Sequence, residues 1–226
     1  MNLKYLYKNP RYLIPNTFTA LNMIFGIVSI LESRPLYAYY YLLFSLVLDN
    51  WDGLAARYFN AGSSFGEQFD SLSDLISFGV APAVLCYKFF STDSLTVILI
   101  IYVLSIAIRL ARFNTSKVNS AFFEGLPSPA SAAAIISYMF LCYAYQLHLS
   151  SRVHYLYIGI ISFLTISTIP FPAVFKKFFS KKIHMISVVI CFYLSISVIQ
   201  GPAPFIMSTT YLIASLLYAF IKKPVL

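Results

Sequence analysis

Charge is scarce in this chain. Only 11% of its 226 residues are Asp, Glu, Lys or Arg, 59% are hydrophobic, and the mean hydropathy is +0.77. A soluble domain of this length cannot hide so much apolar surface in one core, so an ordinary water-soluble fold is excluded. The three cysteines, Cys86, Cys142 and Cys191, stand far apart, which excludes a disulfide framework and a zinc-type ligand spacing. They read as small apolar fillers. Histidine is equally sparse: His148, His154 and His184 read as interfacial residues, and no Ser–His pairing stands out. The first apolar block contains Asn16, Thr17 and Asn22 and is followed by no small-residue cleavage site, so it reads as a retained span and not as a signal peptide. Low-complexity segments and internal repeats are missing, and the connections are too short for a separate soluble domain.

What the chain has instead is apolar blocks near the ~20 residues that cross a hydrocarbon layer. Eight are read, over about 13–31, 36–57, 71–90, 94–112, 128–147, 153–170, 183–200 and 203–221. The expected fold is therefore all-α: a polytopic integral membrane helix bundle of about eight transmembrane helices. Pro10, Pro35, Pro127 and Pro202 punctuate span boundaries, and Pro82 lies inside the third block, where a kink is expected. With both termini cytoplasmic, thirteen of the sixteen Lys and Arg residues fall inside, leaving Arg34, Lys88 and Arg152 outside. The net charge of +8 is spread over membrane-proximal loops, including Lys176, Lys177, Lys181 and Lys182. That pattern suits anionic membrane lipids and not nucleic acid. The start, residues 1–12, has the amphipathic character of a short interfacial segment. The 21 Phe and 18 Tyr suit lipid-facing surfaces and interfacial belts.

Acidic residues number eight, yet five of them (Asp49, Asp52, Glu67, Asp70 and Asp74) crowd into one 26-residue stretch. Asp49 and Asp52 are three apart near the end of the second block, and Asp70 and Asp74 are four apart at the start of the third. Those separations put each pair on one helical face. A turn of about a dozen residues, with AGSSFG at its heart, lets the two helices fold back so that both pairs converge at a membrane boundary. Four carboxylates at close range repel, and proximity to hydrocarbon adds a desolvation cost. Oxygen-rich clusters of this kind suit hard divalent cations such as Mg²⁺ or Mn²⁺. Two ions held together would suit displacement at phosphorus. Gly53 and Ala56 leave open backbone beside the carboxylates, and Arg57 offers a fork for phosphate oxygens. Taken singly, Asp70 reads equally well as a helix-dipole partner and Asp49 as an ion-pair partner of Arg57.

The run Asp49-x2-Asp52-Gly53-x2-Ala56-Arg57-x8-Gly66-x3-Asp70-x3-Asp74 resembles the signature of the CDP-alcohol phosphatidyltransferase family and does not depart from it. Three further stretches resemble the branch of that family that makes phosphatidylserine. They are Asp70–Asp74 running on into Ser77–Ala83, then Arg109-Leu110-Ala111-Arg112-Phe113-Asn114, then Phe123-x-Gly125-Leu126-Pro127-Ser128-Pro129-Ala130. The resemblance covers most of residues 13–135. It implies a single membrane domain over 1–226, with a catalytic core at about 13–170 and additional helices at about 183–221. It also implies two divalent metal ions, with Asp49 and Asp70 bridging both, Asp52 binding the first, Asp74 binding the second and Asp74 acting as general base. Pro15, Asn16, Thr19, Gly53, Ala56, Arg57 and Ser63 match positions on the CDP side of the lipid donor. Arg109, Arg112 and Asn114 are expected to hold the acceptor carboxylate or a phosphate.

By the same resemblance, the substrates are CDP-diacylglycerol and L-serine, the products are CMP and phosphatidylserine, and the assembly is a homodimer. The setting it implies is the cytoplasmic membrane of a prokaryote, with the site at the cytoplasmic face. Glycerol 3-phosphate or inositol phosphate is the alternative acceptor. A divalent-cation transporter and a catalytically inert scaffold are the readings from other classes. The transporter reading is disfavoured because the carboxylates stand at a span boundary with no counterpart in a second half.

Overall fold

The computed structural model describes residues 10–90, 95–115, 122–172 and 203–221, and these are mostly helical. In chain order the helices are α1 (Pro10–Leu31), α2 (Pro35–Tyr58), α3 (Ser64–Asp74), α4 (Ala81–Phe90), α5 (Thr96–Thr115), α6 (Ser128–Ala144), α7 (Ser151–Ile166) and α8 (Ala203–Ile221). A π-helical segment over Leu75–Val80 joins α3 to α4 without a break. The interfacial segment expected before residue 10 and the span expected over 183–200 lie outside the described residues. So do Lys117, the lysines at 176–182, His184 and Cys191.

Among the described residues, three helical stretches are long and apolar enough to cross a membrane: Arg11–Leu31, Ser64–Phe90 and Thr96–Thr115. Helix α2 has the length, at 24 residues, but Asp49, Asp52, Arg57 and its tyrosines make it more polar than these. The sides of the helices are arranged for a lipid surround. In α5, Val97, Ile100, Ile101, Leu104 and Ile108 face outward, while Leu99, Tyr102, Ile106 and Arg109 are buried. In α1 the buried stripe is small and polar (Pro15, Thr19, Asn22, Gly26, Ser29), whereas Leu13, Ile24, Ile27 and Leu31 are exposed. Small residues let membrane helices approach closely and their polar groups bond across the seam. A Cβ added to Gly26 would stand 2.9 Å from the Ser77 Cα, so α1 and the π segment meet backbone to backbone there. Ser73 Oγ donates to the Thr19 carbonyl at 3.0 Å and Ser77 Oγ to the Asn22 carbonyl at 3.0 Å. Ser45 Oγ of α2 is also hydrogen-bonded to the Asn22 side chain.

Pro82 removes one backbone donor, and the carbonyl four residues earlier, on Phe78, loses its helical partner. The buried Tyr102 hydroxyl donates to that carbonyl at 2.7 Å. The disruption expected from Pro82 thus takes the form of a π turn whose freed acceptor is satisfied from α5. The apolar core lies between α2, α4, α5, α6 and α7, with Tyr39 stacked on Phe140 at 4.6 Å between centroids.

Two short strands, β1 (Phe122–Glu124) and β2 (Pro170–Pro172), pair antiparallel, with Phe122 opposite Pro172. This ribbon is the one departure from all-α structure among the described residues. Gly125 follows it with φ of +77°, a conformation that favours glycine. A Cβ at that position would lie 2.4 Å from the Thr165 carbonyl oxygen. On the α1–α2 turn, Glu32 accepts from the Arg34 guanidinium and from the backbone N–H groups of Ser33 and Arg34. The Arg34 side chain holds the Glu32 carboxyl below the usual carboxylate range.

Candidate active site

Helix α2 ends in a Schellman turn. Asn60 adopts the left-handed conformation at φ 50°, with the Asn60 N–H on the Arg57 carbonyl and the Ala61 N–H on the Ala56 carbonyl at 2.8 Å. Helix α3 then begins at once, because the Ser63 side chain caps it by accepting from the Gly66 N–H at 3.1 Å. The connection is only Phe59–Ser63, shorter than the dozen residues expected from sequence. This short reversal lets α3 run back along α1, which packs on both α2 and α3, so that Asp70 and Asp74 at the far end of α3 come beside the α2 aspartates.

Asp49, Asp70 and Asp74 each present a carboxylate oxygen, and these oxygens lie within 4.8 Å of one another. Asp52 joins the cluster beside Asp70 and accepts from Thr19 Oγ1 at 2.8 Å, which ties α1 to the site. Asp52 and Asp74 are 7% and 6% exposed. Asp70 Oδ1 and Asp74 Oδ1 are buried and have no hydrogen-bond partner among the described residues. Buried carboxylate oxygens are seldom left without a donor or a cation, because the desolvation penalty then goes unrelieved. An all-oxygen donor set with orphaned, convergent carboxylates fits hard divalent cations, so the residues present suit the metal chemistry expected of them.

The other expected site residues distribute unevenly around this centre. Thr19 Oγ1 also donates to the Pro15 carbonyl at 3.2 Å, and Asn16 Oδ1 lies 3.4 Å from where a Cβ on Gly66 would stand. Arg57 is exposed and engages no carboxylate among the described residues, which removes the Asp49–Arg57 ion pair as an explanation of either residue. Its Nη1 lies 3.6 Å from the position of a Cβ on Gly53, so the glycine leaves open backbone beside the guanidinium. Ala56 sits in the last turn of α2, next to Arg57. Ser63 has a capping role that sequence reasoning did not assign.

Of the three residues expected at the acceptor, Arg109 alone reaches the carboxylate cluster. It is 7% exposed, and its Nη1 donates to Ser128 Oγ at 2.9 Å, whose hydroxyl in turn donates to Asp74 Oδ2 at 3.1 Å. Arg109 Nε is buried without a partner among the described residues. Arg112 is committed to the ribbon region: its guanidinium donates to the Ile166, Glu124 and Ser167 carbonyls at 2.8, 2.9 and 3.1 Å and faces the Glu124 carboxylate. Asn114 bonds Ser71 and Gln68 on α3. Ser128 has no role in the sequence reading, although it stands in the Gly125–Ala130 stretch. Its partners are 19 and 54 positions away, so no local spacing announces it. His154, expected at the interface, is buried on Phe90 and bonded to the Tyr138 hydroxyl at 2.9 Å.

Fold and cluster together define a membrane-embedded helical protein with a carboxylate site suited to divalent cations. The chain belongs to the CDP-alcohol phosphatidyltransferase family, whose sequence model matches residues 12–169. Enzymes of that family generally depend on divalent metal ions. Among curated relatives, the CDP-diacylglycerol–serine O-phosphatidyltransferase of Helicobacter pylori strain J99 is 37% identical over 180 residues, 75% of each chain. The protein of the same name from Methanocaldococcus jannaschii is 36% identical over 166 residues, 74% of this chain and 77% of its own. The one from Saccharomyces cerevisiae is 38% identical over 138 residues, 52% of this chain and 50% of its own.

Proposed function

We propose that this chain is a CDP-diacylglycerol–serine O-phosphatidyltransferase that uses two divalent ions, Mg²⁺ or Mn²⁺. The observation that carries the reading is the convergence of buried, partly unpartnered aspartates within a matched family signature. The names of the relatives support serine as the acceptor. Asp49 and Asp70 would hold both ions, with Asp52 on the first and Asp74 on the second. When bound, the ions supply neutralisation of the pyrophosphate and of the departing nucleotide.

The chain's own residues do the rest. Gly53 and Ala56 admit the CDP portion close to the α2 backbone, and Arg57 offers its exposed guanidinium to phosphate oxygens. Pro15, Asn16, Thr19 and Ser63 border the same space. Asp74 takes the proton of the serine hydroxyl as that oxygen forms its bond to the lipid-side phosphorus. The phosphoanhydride bond breaks, CMP leaves with the bonding electron pair, and phosphatidylserine remains in the leaflet. A carboxylate is a weak base for an alcohol, so proton transfer accompanies attack. Arg109, with Nε unpaired near the cluster among the described residues, is the acceptor-side cation, while Arg112 holds the ribbon and Asn114 holds α3 through Ser71 and Gln68. The protein acts as a homodimer of single-domain chains in a prokaryotic cytoplasmic membrane, with both termini and the site on the cytoplasmic face.

Purified protein with CDP-diacylglycerol and Mn²⁺, offered labelled serine, glycerol 3-phosphate and inositol phosphate in parallel, tests this. Labelled lipid and CMP are expected with serine alone. Lipid formed only with another alcohol would refute the choice of acceptor. Metal flux in sealed vesicles without CMP formation would refute the enzyme.

A further inference from the structure

Asp74 has two carboxylate oxygens in different circumstances. Oδ1 is buried without a partner among the described residues, and Oδ2 accepts from the hydroxyl of Ser128. The direction of that second bond is set by Arg109. A guanidinium has only donors, so the Ser128 oxygen must accept from Arg109 Nη1 and its single proton is left for Asp74. Ser128 is 1% exposed, on the first residue of α6, between Pro127 and Pro129. Its position is fixed from behind. The Leu126 N–H donates to the Leu164 carbonyl and the Gly125 N–H to the Ile169 carbonyl, each at 3.0 Å. Arg112 ties the Glu124 carbonyl to the end of α7. The hydroxyl is therefore presented on a braced turn and not on a mobile side chain.

We infer that Ser128 is a positioning residue for Asp74: its hydroxyl, oriented by Arg109, holds Oδ2 and so fixes the carboxylate in the cluster. The inference rests on the reading of that cluster given above. Partners of this kind, which orient a ligating carboxylate, typically contribute about 10–100-fold to metal affinity or activity. The bracing also assigns Arg112 to the support of Ser128, through the turn at Gly125, instead of to direct contact with a substrate.

The test uses the full chain in detergent, normalised to its monodisperse folded fraction. Ser128→Ala is expected to lower kcat about 10–100-fold, with the KM for CDP-diacylglycerol within about two-fold. It should also weaken Mn²⁺ binding, read by electron paramagnetic resonance without substrates, by about ten-fold or more. Ser128→Thr, which keeps the hydroxyl, should recover most of both losses. An alanine variant with unchanged kcat and Mn²⁺ affinity overturns the inference. So does a pair of variants that lose activity only in proportion to lost folded protein, with threonine no better than alanine. Absence of Mn²⁺ binding by the unmodified protein is a distinct result, and it overturns the reading of the cluster together with this inference.

Discussion

Asp74 is where the energetic interests of stability and chemistry diverge most sharply. It is buried beside three other carboxylates, and like charges at that range raise the free energy of the folded chain until a cation or a proton intervenes. Asp74→Asn keeps the volume and an acceptor for the Ser128 hydroxyl but removes both the charge and the basicity. The expected outcome is a fall in kcat of roughly 10³-fold, within the range usual for loss of a general base. The melting temperature in metal-free buffer should hold or rise, because one repelling charge is gone. Parallel turnover and thermal-unfolding measurements check the pair. Full activity in the asparagine variant would remove Asp74 from the chemistry. At this scale the sequence was highly legible for the aspartates, since i,i+3 and i,i+4 spacing reports helical faces directly. It was blind to Ser128 and to the divided fates of Arg109 and Arg112, which are three residues apart yet face different neighbours. Only packing decides which basic residue enters the site.

Among the elements, the site depends on how closely α1 packs against both α2 and α3. The stripe Pro15–Thr19–Asn22–Gly26–Ser29 lets α1 sit against α2 and the π segment, and Thr19 carries that contact through to Asp52. Apolar blocks in the sequence announced where the helices run, because a lipid-exposed helix must be apolar along its length. Two features were not legible. The α2–α3 connection is short because Ser63 caps α3 and Asn60 closes α2, so the third helix starts seven residues before its apolar block does. The other is the π turn before Pro82. A proline predicts a defect but not its form, which here depends on the Tyr102 hydroxyl from α5. Tyr102→Phe leaves the Phe78 carbonyl without its donor in a buried setting. A loss of about 1–3 kcal/mol in unfolding free energy is expected, read from denaturant or thermal unfolding in detergent. An unchanged stability would mean that the carbonyl finds another partner and that the hydroxyl does not brace the turn.

For the whole molecule, the outward aliphatic faces of α1 and α5 and the inward polar seams describe a bundle solvated by lipid. The proposed orientation puts the α1–α2 turn on the outer side and the α2–α3 turn, with the aspartates beside it, in the cytoplasm. Both turns offer exposed reporters, Ser33 and Asn60. In a background with Cys86, Cys142 and Cys191 replaced, Ser33→Cys should react with an impermeant maleimide added to intact cells. Asn60→Cys should react only after the membrane is opened. The reverse pattern would invert the topology and move the site to the other face.

A crystal of the full chain grown with Mn²⁺ and a CDP-lipid, imaged by manganese anomalous scattering, tests the central claim most directly. Two peaks are expected per chain, both contacting Asp49 and Asp70, with Asp52 on one and Asp74 on the other. Density at neither position, or manganese bound elsewhere while the four aspartates pair with protein groups, would contradict it.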